Sequence, residues 1–310
     1  WDRAVLAQLI TTAHETGAAA IGIDQRLNHA SPAHLGGAAS DALLLEATKT
    51  AGHIVTVFDD EAPLASDAIV QGHLALSPHG DHVARSLPLF VEHGSQTLPS
   101  FGLALFSLAK NQPLSHGTGE TRLVNVVGNG TLADLPTIPL SNVWEAIQRH
   151  DSTALDGWLK DKVVVILSQP PSQNLWLLPT GQSVDGMTAH LQFLNSLLTE
   201  SHLCQTGPFG RAGITMVFAS LIAWCLLHFR GSVSLLSAAG TLVLYGAATV
   251  ALLSGLHLVL PVALPLTAAL VVLLATTVWI HFTTTQRMML LEQDMLRIQQ
   301  DTAAVREALV

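Results

Sequence analysis

The stretch Ala212-Gly-Ile-Thr-Met-Val-Phe-Ala-Ser-Leu-Ile-Ala-Trp-Cys-Leu-Leu-His-Phe229, continued after Arg230 by the apolar run Gly231–Phe282, decides the architecture of this chain. Arg230 is the only fully charged residue between Ala212 and Phe282. A helix rises about 1.5 Å per residue and a bilayer's hydrocarbon core is about 30 Å thick, so about 20 apolar residues make one crossing. Ala212–Phe229 supplies one crossing. Gly231–Phe282 supplies two more, because Gly255, His257 and Pro261 interrupt it with a polar group and two helix breakers. The expected spans are Ala212–Phe229, Leu235–Leu256 and Val262–Phe282, together a transmembrane region over 212–282. An odd number of crossings places residues 1–205 and the polar tail 285–310 on opposite faces of the membrane.

Orientation follows from the few cations beside the spans. Arg230 lies between spans one and two and Arg287 just after span three, whereas the connection between spans two and three has neither Lys nor Arg. The positive-inside rule then puts the tail in the cytoplasm and residues 1–205 outside, with Arg211 arguing mildly the other way. The chain opens on Trp1 without a signal-peptide pattern, which reads as a fragment or a processed product whose export element lies upstream.

The whole-chain figures of 49% hydrophobic and 12% charged residues average two unlike parts, of which residues 1–205 have the mix and length of one ordinary domain. The formal charge of -9 is mild, and the lysines of that part (Lys49, Lys110, Lys160, Lys162) form no basic stripe, which excludes nucleic acid as a partner. Cys204 ends the soluble part and Cys225 lies inside the first span, so no intramolecular disulfide is expected.

Within residues 1–205 the runs Ala18–Ile23, Ile54–Phe58 and Val163–Leu167 are continuously apolar, the habit of parallel strands covered on both faces. Helix-like stretches lie between them at Ala4–His14, Asp41–Thr50, Leu98–Lys110, Ser141–Arg149 and Gly186–Leu198. Ser86–His93 with Thr97 reads as an antiparallel pair turning at Gly94-Ser95, with Pro99 opening the next helix. The expected fold is an α/β layered sandwich with a mostly parallel sheet plus an antiparallel pair, followed by three transmembrane helices and a coiled-coil helix.

Catalytic and nucleotide-binding signatures are missing. Gly117-Thr-Gly119 and Gly128-Asn-Gly130 lack a third glycine and a strand-to-helix setting, and there is neither a G-x-S-x-G elbow nor an H-E-x-x-H pair. No cofactor is expected. Histidine is frequent, 15 in all, and His73, His79 and His82 gather near Asp81. His79 and His82 could ligate a metal or form a pH-responsive patch. A solvated turn over Pro78-His79-Gly80-Asp81-His82 is the favoured reading, since structural zinc ligands come in fours and no Cys is near.

After the third span, Met288, Leu291, Met295, Ile298, Thr302, Val305 and Leu309 follow one another at alternating steps of three and four, the seam of a coiled coil. The polar positions mix Arg287, Arg297 and Arg306 with Glu292, Asp294, Asp301 and Glu307, unlike the strongly basic face of a helix lying on a membrane. A cytoplasmic stalk that pairs with a second copy is therefore expected over 285–310.

Several segments together resemble the type 2 CHASE sensor domain of bacterial receptors. Trp1-Asp2-Arg3 and Gly17-Ala-Ala-Ala-Ile-Gly-Ile-Asp24 look like that family's W-x-R segment and the strand it leads into, which ends in Asp. Asp81-His-Val-Ala-Arg85-Ser-Leu-Pro88-Leu89 with Leu98-Pro99-Ser100-Phe101 is similar to its aspartate, arginine and proline strand and following helix. Lys162-Val-Val-Val-Ile166, Pro179-Thr-Gly181 and Gly186-Met-Thr-Ala-His190 resemble its late strand and the start of its last helix. The resemblance implies an upstream span and strand before Trp1, a bacterial plasma-membrane location, and a cytoplasmic histidine kinase, nucleotide cyclase or protein kinase after the stalk. Asn174 and Thr188 stand where the family tends to carry carboxylates, so ligand contacts at those positions are not implied here.

Four residues are candidates for contact with a small-molecule or protein stimulus. Asp24 ends a strand, where open α/β sheets place ligands, or else caps a turn. Arg85 suits an anion or an ion pair with Asp81, and His190 faces a pocket or is a buried, hydrogen-bonded histidine. Trp144, Trp158 and Trp176 read as core or loop anchors. The expected function is the input and transmembrane part of a signalling receptor, itself not an enzyme, with membrane lipid and a second copy as partners. A membrane-anchored enzyme with its site in the α/β domain is the alternative. A transporter fragment is disfavoured because the spans hold no Asp, Glu, Lys or Arg.

Overall fold

The computed structural model describes residues 2–25, 27, 29–58, 69–78, 83–94, 96–114, 121–123, 135–167, 175–178, 181–201, 203–229 and 232–308. The chain divides into two compact units, Trp1–Leu203 and Cys204–Val310.

The first unit is built on a parallel four-stranded sheet in the order β3-β2-β1-β9, with β1 at Ala20–Asp24, β2 at Ile54–Val57, β3 at Ile69–Gly72 and β9 at Val163–Leu167. Ile21 is the register point, opposite Ile54 on one side and Val164 on the other. Helices α1 (Arg3–Glu15) and α2 (Gly37–Ala51) cover one face, where Leu6, Ile10, Leu44 and Ala47 pack on Ile21, Ile23 and Ile54. The other face carries α3 (Phe101–Lys110) and α6 (Gly186–Leu198), whose Phe101, Leu105, Met187 and Leu191 pack on Ala20 and Val55. Successive residues of β1 thus enter opposite apolar layers, which is why the strand is apolar without alternation. Gly22 faces α3 so closely that a Cβ there would meet Leu105 and Phe101 at 3.0 Å.

Among the described residues Val163–Leu167 is an edge strand, half-buried along its whole length. A small cluster beside it, formed by α4 (Leu140–Arg149) and α5 (Ser152–Leu159), packs Ala146, Leu155 and Leu159 with Val164.

The antiparallel pair is present but shorter than its sequence suggested. It joins β6 (Phe90–His93) to β7 (Gln96–Pro99), and Ser86 belongs instead to β5 (Ala84–Pro88), between β4 (Ser77–Pro78) and β8 (Thr121–Leu123). Pro99 does not open α3. It pairs with Phe90 as the last residue of its strand, and Ser100 caps the helix by accepting the Leu103 N–H at 3.4 Å. A second hairpin, β10 (Leu175–Leu177) with β11 (Ser183–Asp185), ends in Asp185, which caps α6 by accepting the Thr188 N–H at 2.6 Å.

α6 is buried on nearly every side because it lies between two cores. Met187, Leu191 and Leu194 belong to the sheet layer, while Ala189 and Phe193 join Leu76, Leu87, Phe90 and Leu178 of the antiparallel part.

The second unit contains α7 (Pro208–His228), α8 (Ser232–Leu256) and α9 (Ala263–Ala308), with a short parallel pairing of β12 (Cys204–Gln205) and β13 (Leu258–Val259). All three helices are long and apolar enough to cross a membrane, with mean hydropathies of 1.6, 1.8 and 2.2. Phe218, Ile222 and Leu226 of α7 pack on Ala238 and Ala269, and Cys225 Sγ lies 3.8 Å from Thr241 Oγ1. No more than 22% of any of the three apolar windows is buried, so most of this apolar surface points outward, as lipid contact requires. The expected third span and the tail are one unbroken helix of 46 residues. Thr283 and Thr285 do not interrupt it, since their hydroxyls donate to the carbonyls of Trp279 and His281, each at 2.9 Å.

Candidate functional site

The residues around the W-x-R segment form a latch. Asp2 caps α1 by accepting the Ala4 N–H at 2.9 Å, and Arg3, the next residue, turns its guanidinium onto the Asp41 carboxylate of α2 and the His29 carbonyl. Asp41 also accepts the Ser31 N–H, at 3.0 Å to Oδ2 and 3.3 Å to Oδ1. Burial pushes the Asp41 carboxyl up, but the Ser31 amide and the Arg3 guanidinium outweigh it and hold the group below its ordinary value. The hydroxyls of Ser31 and Ser40 both donate to the Leu35 carbonyl, at 3.0 and 3.1 Å. Gly36 sits at φ 91°, and a Cβ there would come within 2.7 Å of the Ser40 Cβ. The chain that leaves β1 is thus pinned to the N-terminus of α2.

Asp24 stands at the C-terminal end of β1 opposite Leu167, half-buried, and Arg85 stands half-buried on β5. Neither side chain is free of interactions. Asp81, His79 and His82 lie outside the described residues. Among the described residues no group of three or more His, Cys, Asp and Glu could hold a metal ion.

His190 is wholly buried on the second turn of α6. Its Nε2 is 3.4 Å from the Ala75 carbonyl and its Nδ1 has no partner. The ring meets that of His73 edge to face, 5.8 Å between centroids and 89° between planes. His73 is 6% exposed and is fixed through its backbone, donating its N–H to the Pro99 carbonyl at 2.9 Å and accepting the Phe101 N–H at 3.0 Å. Its Nδ1 accepts the Ala75 N–H at 3.1 Å, which assigns the proton to Nε2, and that nitrogen also lacks a partner. Burial pushes His190 down to about 3, with His73 adding to the effect, and pushes His73 down to about 4. Both imidazoles are therefore neutral near pH 7.

The two residues are far apart in sequence, and His73 reads there as a companion of His79 and His82. What joins them is the docking of α6 against the segment after β3. Close approach of α3 to α6 is visible at Gly102, where a Cβ would lie 2.7 Å from the His190 carbonyl oxygen.

No curated protein and no solved structure matches the chain. The family model of the CHASE2 domain matches residues 1–228, which takes in the first unit and α7. With an α/β sensor unit followed by candidate membrane helices, the chain belongs to the CHASE2 domain family.

Proposed function

We propose that this chain is the input and transmembrane part of a bacterial signalling receptor. The first unit senses a small-molecule or protein stimulus outside the cytoplasm, and α7, α8 and α9 pass the change through the plasma membrane. The long helix then pairs with that of a second copy and drives a cytoplasmic histidine kinase, nucleotide cyclase or protein kinase. The chain itself performs no catalysis and needs no cofactor. Asp24, Asp81 and Arg85 are the proposed ligand contacts.

The observation that carries this reading is the continuity of α9, one helix from the last apolar segment into the heptad-patterned tail. A signal entering such a helix on one side has a mechanical route to the other. Single cysteines placed along Met288–Leu309 should crosslink between copies with heptad periodicity, and reporter fusions to residue 1 and residue 310 should report opposite compartments. A flat crosslinking profile removes the stalk, and two reporters on one side remove the receptor.

A further inference from the structure

We propose that the His73–His190 contact is a proton-operated release, through which acidification outside the cell loosens α6 and so generates a signal. This rests on the receptor reading above for its consequence, but not for its chemistry.

The geometry makes the contact a poor host for charge. Two imidazoles are packed edge to face in the interior. A proton added to His190 goes to Nδ1, which has no partner, and one added to His73 goes to Nδ1 and displaces the Ala75 N–H. Burial thus outweighs what the nearby carbonyls offer either cation. The groups facing them are few. Carbonyls of Ala75 and Leu74 face His190, the Leu89 carbonyl faces His73, and among the described residues the only titratable group acting on His190 is His73. The charged or titratable residues of the surrounding elements are Arg85 on β5, Glu92 and His93 on β6, Lys110 at the end of α3 and Asp185 capping α6. None of them acts on either ring. With no carboxylate among the described residues acting on either ring, relief comes from separating α6 from the Gly72–Leu76 segment and admitting water.

Position gives this release its meaning. α6 is the last helix of the first unit, and residues 199–207 lead from it to α7, the first candidate span. It also bridges the two apolar cores, so its displacement disturbs both.

The size of the effect follows from linkage. Once exposed, each imidazole titrates near its ordinary pKa of about 6.5, while in the closed contact neither takes a proton until far lower pH. Each ring then raises the open-to-closed ratio about tenfold between pH 7.5 and pH 5.5, and the pair about a hundredfold.

Hydrogen exchange of the full chain in lipid vesicles, corrected for the intrinsic pH dependence of amide exchange, tests this directly. Protection of Gly186–Leu198 should fall about a hundredfold from pH 7.5 to 5.5 and at pH 5.5 lie below that of Arg3–Glu15, because a local opening is reached before global unfolding. The fall should shrink to about tenfold in H73Q and vanish in H73Q/H190Q. If the double variant does not fold, the single variant decides. An unchanged fall in H73Q, no fall in the native chain, or exchange of Gly186–Leu198 no faster than that of Arg3–Glu15 at pH 5.5 would each overturn the proposal. Acidifying only the compartment that holds residues 1–203 must suffice, whichever way the chain is inserted, so a failed topology assay and a failed exchange assay remain distinct results.

Discussion

Arg3 and Asp41 form an ion pair with side chains only 12% and 15% exposed, joining the first turn of α1 to the first turns of α2. The pair explains why arginine stands one residue after the Asp2 cap. Its planar guanidinium reaches the Asp41 carboxylate and the His29 carbonyl at once, which an ammonium on a flexible stem does poorly. Arg3→Ala should cost about 2 kcal/mol, the range for a hydrogen bond to a charged group that leaves its partner unsatisfied. The melting temperature of the first unit, followed in the full chain in detergent, should fall by about 4–8 °C, and Arg3→Lys should recover only part of the loss. Because the Asp41 carboxyl lies below its ordinary value when folded, this contribution is present above about pH 4 and disappears as pH falls through the folded value.

Gly72 and Gly157 should respond in opposite directions to the same change. A Cβ on Gly72 would sit 2.6 Å from the Phe101 Cα, a backbone atom that cannot swing aside, so Gly72→Ala should destabilise by about 1–3 kcal/mol. Gly157 lies inside α5 with nothing within 4 Å of its would-be Cβ, and Gly157→Ala should stabilise by about 0.5–1 kcal/mol. Thermal unfolding of both variants under one condition checks the contrast.

The buried histidines should also shape the acid limb of the stability curve. Their folded values of about 4 and about 3 lie below the ordinary 6.5, so the unfolded chain binds more protons as pH falls. The stabilisation is complete above about pH 6.5 and declines below it, by up to about 1.4 kcal/mol per pH unit for each imidazole. Denaturant midpoints between pH 7.5 and 4.5 should show this slope in the native chain and about half of it in H190Q.

Much of the scaffold was legible because its signals are local. The run Ile54–Phe58 holds a strand at Ile54–Val57, buried over its first three residues, and the helix at Gly186–Leu198 has the expected bounds. Val163–Leu167 was equally readable as a strand but not as an edge, since a composition suited to burial says nothing about how many neighbours a strand finds. Pro99 misled because proline suits both a helix start and a strand end, and the Ser100 cap decided between them. The apolar spans were visible by length and lack of charge, and the tail by its heptad spacing. Their fusion was not, because the change from apolar to polar composition after Phe282 does not say whether the helix continues, and only the structure shows the Thr283 and Thr285 hydroxyls bonding back along an unbroken helix. Least legible was the histidine contact. Arg3 at least sits in a recognisable motif, whereas His73 and His190 meet only through tertiary packing that no local pattern encodes.

A rod of 46 residues without a hinge measures roughly 70 Å at 1.5 Å per residue. In the proposed relay such a drive shaft would deliver a twist at its far end in phase with the twist it receives, so the angle at which any following domain is mounted would be fixed by residue count. Adding one residue beyond the bilayer would turn that mount by about 100°, whereas adding seven would bring it back to within about 20°.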